Sequence, residues 1–228
     1  MSGEPLVSVV VPTLNAARYL SYGLDSVEAQ TYDAWEVVLV DGGSTDETLE
    51  IAGRYRVRVV RQRGKGLADA WNLGIEAARG ELVAFLDSDD LWEPQKLSRQ
   101  VEVLDGDEEL DCVISLARFV LEPGFPVPPG FRPELLESAH PAQLPSALLA
   151  RRSVFERIGV FETRFAIAAD VDWFARAKDA GVRMEVVPEL LVHKRMHDTN
   201  LSTLGGTTVN RELLEVLRAS VQRQRGAS

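Results

Sequence analysis

Four short runs rich in β-branched and apolar residues, Val7–Val11, Val37–Val40, Val57–Val60 and Leu82–Leu86, alternate with stretches of helical spacing, and this alternation confines the first hundred residues to few folds. Each switch is punctuated. Tyr19, Leu20, Leu24 and Val27 recur at helical intervals after the first run, which Pro12 ends. Gly42-Gly43 turns the chain into Ser44-Thr45-Asp46-Glu47, a capping-box pattern in which serine and glutamate satisfy free amides at a helix start. Gly64-Lys65-Gly66 precedes a helix over Leu67–Arg79, with Gly80 where a C′ glycine belongs. Repeated strand–helix–strand units with short links predict an α/β fold, a Rossmann-like, mostly parallel sheet flanked by helices, in a single domain. Such sheets take ligands at the carboxyl ends of their strands.

The second half changes character. A strand is expected at Cys112–Phe119, after which seven of the eleven prolines fall between Pro123 and Pro145, giving a long extended loop over 121–145 of the kind that forms lids or binding elements. A capped helix at Ser153–Ile158, a helix at Asp170–Ala180 closed by Gly181, and apolar runs at Val182–Val187 and Leu190–Val192 follow. The C-terminal helix, Asn210–Arg225, carries a stripe of Val209, Leu213, Val216, Leu217 and Val221, which its own domain or a second subunit in a homodimer is expected to cover. Membrane association ranks below both, since the whole-chain charge of −10 opposes anionic surfaces even though Arg211, Arg218, Arg223 and Arg225 make this end locally basic. The same charge disfavours nucleic acid as a partner. A hydrophobic fraction of 45% excludes disorder, and a lone cysteine, Cys112, cannot close an intramolecular disulfide. With no signal peptide or transmembrane run visible, a cytoplasmic location is expected.

The strongest chemical signal is Asp87-Ser88-Asp89-Asp90 at the end of a buried apolar run. In extended backbone Asp87 and Asp89 point to one side, where two carboxylates suit Mg2+ or Mn2+, hard cations that take oxygen ligands. The alternative is a polar turn in which Asp89 or Asp90 caps the next helix near Pro94. The Gly64–Asn72 segment is neither a P-loop nor a dinucleotide fingerprint, because it lacks GxxxxGK[ST] and has Asp69 where GxGxxG requires glycine.

Four segments in order, VSVVVPTLN, VVLVDGGSTDET, GKGLADAWNLGIEAARGE and LVAFLDSDD, resemble the family-2 glycosyltransferases, which have the nucleotide-sugar-binding GT-A fold. The resemblance resumes in ALLARRSVFERIGVF, AADVDWF and RMHDTNLS. It implies a metal-dependent enzyme moving a sugar from a nucleotide-diphosphate sugar to an acceptor nucleophile by inverting displacement. The acceptor class, whether glycan, lipid-linked glycan, peptide or small metabolite, stays open. The resemblance places Pro12, Thr13, Asn15 and Asp41 at the nucleoside, and Lys65, Gly66 and Asp69 at the diphosphate and sugar. Asp87, Ser88 and Arg195 also join the donor site, with Asp89, Asp87 and His197 around the metal and Asp170 as the base.

Bland readings stand beside these. Thr13 and Asn15 suit helix caps, Lys65 a solvated loop, Asp69 a helix dipole and Asp170 an N-cap, while Asp172 competes for the role of base. His193 and His197 have a zinc-like spacing only if helical, and the apolar run before them suggests a strand. Gly42 and Ala169 stand where many relatives have acids, which leaves the donor's nucleotide base and the acceptor unassigned and motivates a silent nucleotide-sugar-binding module as an alternative. A sugar nucleotidyltransferase is the third reading, weakened by Pro12-Thr13-Leu14-Asn15 where its glycine-rich signature would stand. Three parts are expected: a nucleotide-sugar half at 1–110, an acceptor-side half at 111–208 with the proline-rich loop, and the C-terminal helix at 209–228.

Overall fold

The central strands are apolar on both faces, so each must be covered twice. The computed structural model describes residues 3–128, 131–198, 200 and 206–226. In chain order they form β1 (Val7–Thr13), α1 (Leu20–Glu28), β2 (Trp35–Asp41), α2 (Thr48–Ala52), β3 (Val57–Arg61), α3 (Leu67–Ala77), β4 (Leu82–Phe85), β5 (Leu91–Trp92) and α4 (Lys96–Gly106). Then come β6 (Cys112–Leu121), α5 (Glu134–Glu137), β7 (His140–Pro141), β8 (Leu148–Arg151), α6 (Arg152–Ile158), α7 (Ala169–Asp179), β9 (Met184–Met196) and α8 (Gly206–Gly226).

One sheet runs β3-β2-β1-β4-β8-β6-β9-β5, with β7 paired to β6. Its long ladders, β2 on β3, β1 on β2 and β4, and β6 on β9, are parallel, while β4–β8, β6–β8, β6–β7 and β5–β9 are short antiparallel pairings. Side-chain alternation splits the core in two. Val7, Val9 and Val11 face Leu20, Leu24 and Val27 of α1 and Leu97, Val101 and Leu104 of α4 on one side. On the other, Val10, Val38 and Phe85 meet Trp71 and Ile75 of α3, Phe155 of α6, and Trp173 and Phe174 of α7. This single-domain α/β arrangement agrees with the sequence reading.

The topology decides where the strand ends gather. Because β8 is antiparallel to both β4 and β6, β6 and its parallel partner β9 run in the same direction as β1, β2 and β4. Thr13, Asp41, Asp87 and the Lys194–His197 segment therefore reach the same rim.

Several local expectations are corrected. Pro12 lies inside β1, opposite Val40, beyond the point where β4 pairs with that strand. The capping box does not form: Glu47 is the N-cap residue of α2 and makes no side-chain cap bond. Asp46 holds that turn instead, accepting the Thr48 amide at 3.1 Å and, from the β1–α1 loop, the Ala17 amide at 3.1 Å. Gly80 is not a C′ residue, because α3 already ends in extended backbone at Ala78; a side chain at Gly80 would place its Cβ 2.3 Å from the Leu6 carbonyl. Gly181 does have positive φ at the end of α7. Arg151, in extended backbone, rather than Ser153 stands at the N-cap of α6. The runs on either side of Pro188 form one strand, whose register against β6 shifts where Val187 gives way to Leu190, so the proline falls in an irregularity that needs no ladder donor. The proline-rich segment is also less extended than expected, since it carries α5 and β7.

On α8 the predicted stripe divides. Val216 is buried and Leu213 packs beside it in the same core, whereas Leu217 is 62% and Val221 47% exposed. Arg223, Ser220 and Gln224 bind the Asp179 carboxylate at the end of α7 at 2.8, 3.0 and 2.9 Å. Polar contacts thus set the rotation of α8 as much as apolar ones do. No described helix is long and apolar enough to cross a membrane.

Candidate active site

Beyond β4 the backbone leaves the sheet in a turn, with the Asp90 amide donating to the Asp87 carbonyl at 2.9 Å. Asp87 and Asp89 therefore come together by turn geometry, not by the strand alternation expected from sequence. Carboxylate oxygens of Asp87, Asp89 and Asp90 lie within 4.8 Å of one another. Neither Asp89 nor Asp90 caps α4, whose N-cap is Gln95.

The three carboxylates differ in their partners. Asp90 is fully buried and accepts from Ser146 Oγ at 2.7 Å, Lys194 Nζ at 3.2 Å and the Arg195 amide at 3.1 Å. Burial pushes its carboxyl up to about 7, with Lys194 pulling the other way. Asp87 Oδ2 accepts from Lys194 Nζ at 2.7 Å, whereas its Oδ1 is buried without a hydrogen-bond partner. Asp89 Oδ2 lies 2.9 Å from His197 Nε2 and accepts from Asn200 Nδ2 at 2.9 Å. For Lys194, burial lowers the ammonium's affinity for its proton, but Asp87, Asp90 and Asp89 outweigh it and hold the pKa well above the usual lysine value. An all-oxygen donor set with one unpartnered buried carboxylate oxygen fits a hard divalent cation, with Asp87 and Asp89 as the groups to hold it.

Arg195 does not join the carboxylates by its guanidinium. Its Nε donates to the Asp89 carbonyl at 3.1 Å, and the planar group lies over the rings of Tyr19 and Tyr22, 5.0 and 5.7 Å from their centroids. Tyr19 also packs its ring on that of His197, at 4.5 Å between centroids, and donates its hydroxyl to Glu122 at 2.7 Å. The aromatic wall thus fixes Arg195 and His197 beside Asp89. His193 is separate, bound to Glu93 at 2.6 Å, which disposes of the zinc-like pair.

Asp170 is the second residue of α7, and Ala168 is the N-cap, so the N-cap reading of Asp170 does not hold. Its Oδ1 accepts the Val171 amide at 2.8 Å. Burial raises its carboxyl to about 6, and it feels Asp87, which also raises it, and Lys194, which lowers it. Asp170 thus lies near enough to Asp87 and Lys194 for their charges to act on it. Asp172 is buried and occupied: Arg176 Nε donates to it at 2.8 Å while the same guanidinium binds the carbonyls of Ile158 and Val160, each at 2.7 Å.

The remaining residues form the rim over β1, β2 and β3. Thr13 is buried at the end of β1, its hydroxyl 3.3 Å from the Val40 carbonyl. Asn15, in left-handed backbone at φ 50°, accepts the Thr45 amide at 2.9 Å and donates its own amide to Ser44 Oγ at 2.9 Å. It ties two strand-end loops together and does not cap α1. The buried Asp41 carboxylate accepts the Gly43 and Ser44 amides at 3.2 and 3.1 Å, an Asx-type turn that shapes the same rim. Gly66 starts α3 at φ 88°, Lys65 is exposed beside it, and Asp69 in the first turn accepts from Gln62 Nε2 at 2.9 Å. Ser88 is half-buried within the aspartate turn. Ser202, part of the RMHDTNLS segment, lies outside the described residues.

Sequence reasoning missed Lys194, Ser146 and Tyr19. Lys194 precedes Arg195 in a strand read only as apolar at its start; an alternating strand continued to Met196 would have put it on the rim.

A sequence profile of glycosyl transferase family 2 matches residues 8–159. The chain belongs to glycosyl transferase family 2. A PGL/p-HBAD biosynthesis glycosyltransferase of Mycobacterium tuberculosis strain H37Ra is 35% identical over 184 residues, covering 75% of this chain and 69% of the relative. S. aureus TarS 1–349 in complex with UDP-GlcNAc superposes with TM-score 0.76 at 22% identity, covering 96% of this chain and 66% of the other. The mannosyltransferase PcManGT of Pyrobaculum calidifontis, in complex with GDP-Man and Mn2+, gives TM-score 0.73 at 23% identity, covering 97% and 65%. These structural likenesses establish the GT-A fold. This family-2 chain spans 69% of the length of that mycobacterial relative and 32% of that of an uncharacterized glycosyltransferase of Nostoc sp., 44% identical over 103 residues, or 42% of this chain.

Proposed function

We propose that the chain is a metal-dependent glycosyltransferase that moves a sugar from a nucleotide-diphosphate sugar to an acceptor nucleophile with inversion. The observation that carries this is the cluster of Asp87, Asp89 and Asp90, with its unpartnered Asp87 oxygen, at the carboxyl-end rim of the sheet. Asp87 and Asp89 would hold Mn2+ or Mg2+, assisted by His197. The bound cation would neutralise charge on the departing diphosphate.

The protein's own groups supply the rest. The loops joined by Asn15 and shaped by Asp41, with Pro12 and Thr13 behind them, form the nucleoside end of the donor cleft. Lys65, Gly66 and Asp69 border it at the start of α3, where a glycine in positive φ lets a ligand approach the backbone. Ser88 lies within the aspartate turn, and Arg195 adds positive charge beside it. Asp170 takes the acceptor's proton as the nucleophile attacks. A carboxyl raised to about 6 holds a proton better than an exposed aspartate yet stays ionised near neutrality, which suits a general base. A single displacement with one base inverts the anomeric centre. The ligands bound in the two solved structures, UDP-GlcNAc and GDP-Man, make UDP- and GDP-sugars the donors to try first.

The test is incubation with UDP-glucose, UDP-N-acetylglucosamine and GDP-mannose, with and without Mn2+ and in a parallel arm with added pyrophosphate, followed by product analysis. Metal-dependent release of nucleoside diphosphate, with free or transferred sugar of inverted anomeric configuration, supports the proposal. Binding without turnover would make the chain a silent module, and pyrophosphate consumed to form nucleoside triphosphate would make it a nucleotidyltransferase.

A further inference from the structure

Glu212 sits on α8, 42 residues after Asp170, yet its carboxylate ends on the segment that delivers Asp170 to the site. Its Oε1 accepts the Ala166 amide at 3.0 Å, and its Oε2 accepts the amides of Ile167 and Ala168, each at 3.0 Å. The side chain is buried, with 4% of the residue exposed. Burial alone would raise its carboxyl, but the three amides outweigh it and hold it below the usual glutamate value. The group is therefore a charged acceptor for three consecutive backbone donors.

Those donors lie immediately before α7, with Ala168 as its N-cap. Ala168 also provides the carbonyl that accepts the Asp172 amide at 2.9 Å, the first hydrogen bond of the helix. A carboxylate placed here satisfies amides that the helix cannot and opposes the positive end of its dipole. Asp170 follows two residues later. We infer that Glu212 is a positioning residue for Asp170, so that α8 sets the geometry of proton removal from outside the site. The inference rests on Asp170 being the base.

Docking of α8 does not by itself require this contact. Leu213 and Val216 supply apolar packing, and Arg223, Ser220 and Gln224 already clamp Asp179 at the opposite end of α7. A buried carboxylate costs desolvation that an apolar residue would avoid, and what it gains is a fixed course for residues 166–168. A displacement of about 1 Å at a reacting group lowers rate by roughly 10²-fold, so loosening this segment should be felt in turnover.

The test compares Glu212→Gln and Glu212→Ala with Arg223→Ala, which loosens α8 at its other contact with α7. Hydrogen exchange at the amides of Ala166–Ala168 should quicken about tenfold or more in both Glu212 variants, most in Glu212→Ala, and little in Arg223→Ala. Binding of UDP–Mn2+ or GDP–Mn2+ should stay within about twofold of wild type in all three. The kcat should fall about tenfold for Glu212→Gln and up to about 10²-fold for Glu212→Ala, with donor KM unchanged. Unchanged exchange in the Glu212 variants, or equal loss of kcat in Arg223→Ala, overturns the positioning role. Asp170→Asn run in parallel separates the two ideas: wild-type turnover there sinks the base assignment, whereas an inactive Asp170→Asn beside a fully active Glu212→Ala sinks this inference alone.

Discussion

Lys194→Met removes the cation from among three carboxylates while keeping most of the side chain's length and apolar stem. Lys194 Nζ donates to Asp87 at 2.7 Å and Asp90 at 3.2 Å, with 17% of its side chain exposed and Asp90 wholly buried. Carboxylate oxygens within 4.8 Å of one another repel by about 3.5 kcal/mol per pair at an effective dielectric constant of 20. Deleting one member of a buried ion pair costs about 3–5 kcal/mol, and partial exposure sets the expectation at the lower end, about 3 kcal/mol. For a chain of this size that lowers Tm by roughly 6–12 °C in chelator. Millimolar Mn2+ should then restore more stability to the variant than it adds to wild type, because the added cation meets three carboxylates and no competing ammonium. The assay is thermal unfolding of both proteins in EDTA and in Mn2+. A Tm within about 2 °C of wild type in EDTA, or equal Mn2+ shifts in the two proteins, refutes the account of Lys194 as the internal counter-ion of the cluster.

Asp89→Ala should keep the wild-type circular dichroism spectrum and lose Mn2+-dependent nucleotide binding in calorimetry; binding that persists would remove Asp89 from the metal site. Asp170→Asn should bind donor normally and turn over about 10²- to 10⁴-fold more slowly, and an inactive Asp172→Asn beside an active Asp170→Asn would move the role. With Asp170 as the proposed base, active only when ionised, and its carboxyl raised to about 6, wild-type kcat/KM should climb as pH rises through about 6 and level off above it, with no such limb in the residual rate of Asp170→Asn. Gly74→Ala should cost about 1–3 kcal/mol or more in denaturant unfolding, since the new Cβ would stand 2.1 Å from Val10 Cγ1; unaltered stability would mean that α3 does not press on β1 there.

What the sequence made legible was periodicity and order. Val7–Val11, Val37–Val40 and Leu82–Leu86 read as doubly covered strands because both parities are apolar, and the structure divides those parities between two cores. Local chemistry was less legible where a distant partner decides it. Ser44 and Glu47 have the spacing of a capping box, but Asn15, some thirty residues earlier, claims Ser44, and Asp46 takes the turn. Gly80 has the position of a helix C′ glycine, and its actual constraint is the carbonyl of Leu6, the residue before β1.

The candidate site shows the same division between pattern and partner. Asp87 and Asp89 were recognisable as a pair, but which carboxylate is buried, which shares Lys194 and which is held by His197 depends on β9 arriving beside β4 by way of β8 and β6. The choice between Asp170 and Asp172 was similarly beyond helical periodicity, which says only that one of the two faces away. Arg176 is what favours Asp170 in the proposed role: four residues on, it engages Asp172 and, with the same guanidinium, the carbonyls of Ile158 and Val160. Glu212 extends the argument to the C-terminal helix. Its apolar stripe predicted docking, whereas the side chain with the strongest hold on the approach to Asp170 is a charged residue outside that stripe. An apolar period tells which face of a helix meets a core; the hydrogen-bonding residues on that face determine what the contact holds in place.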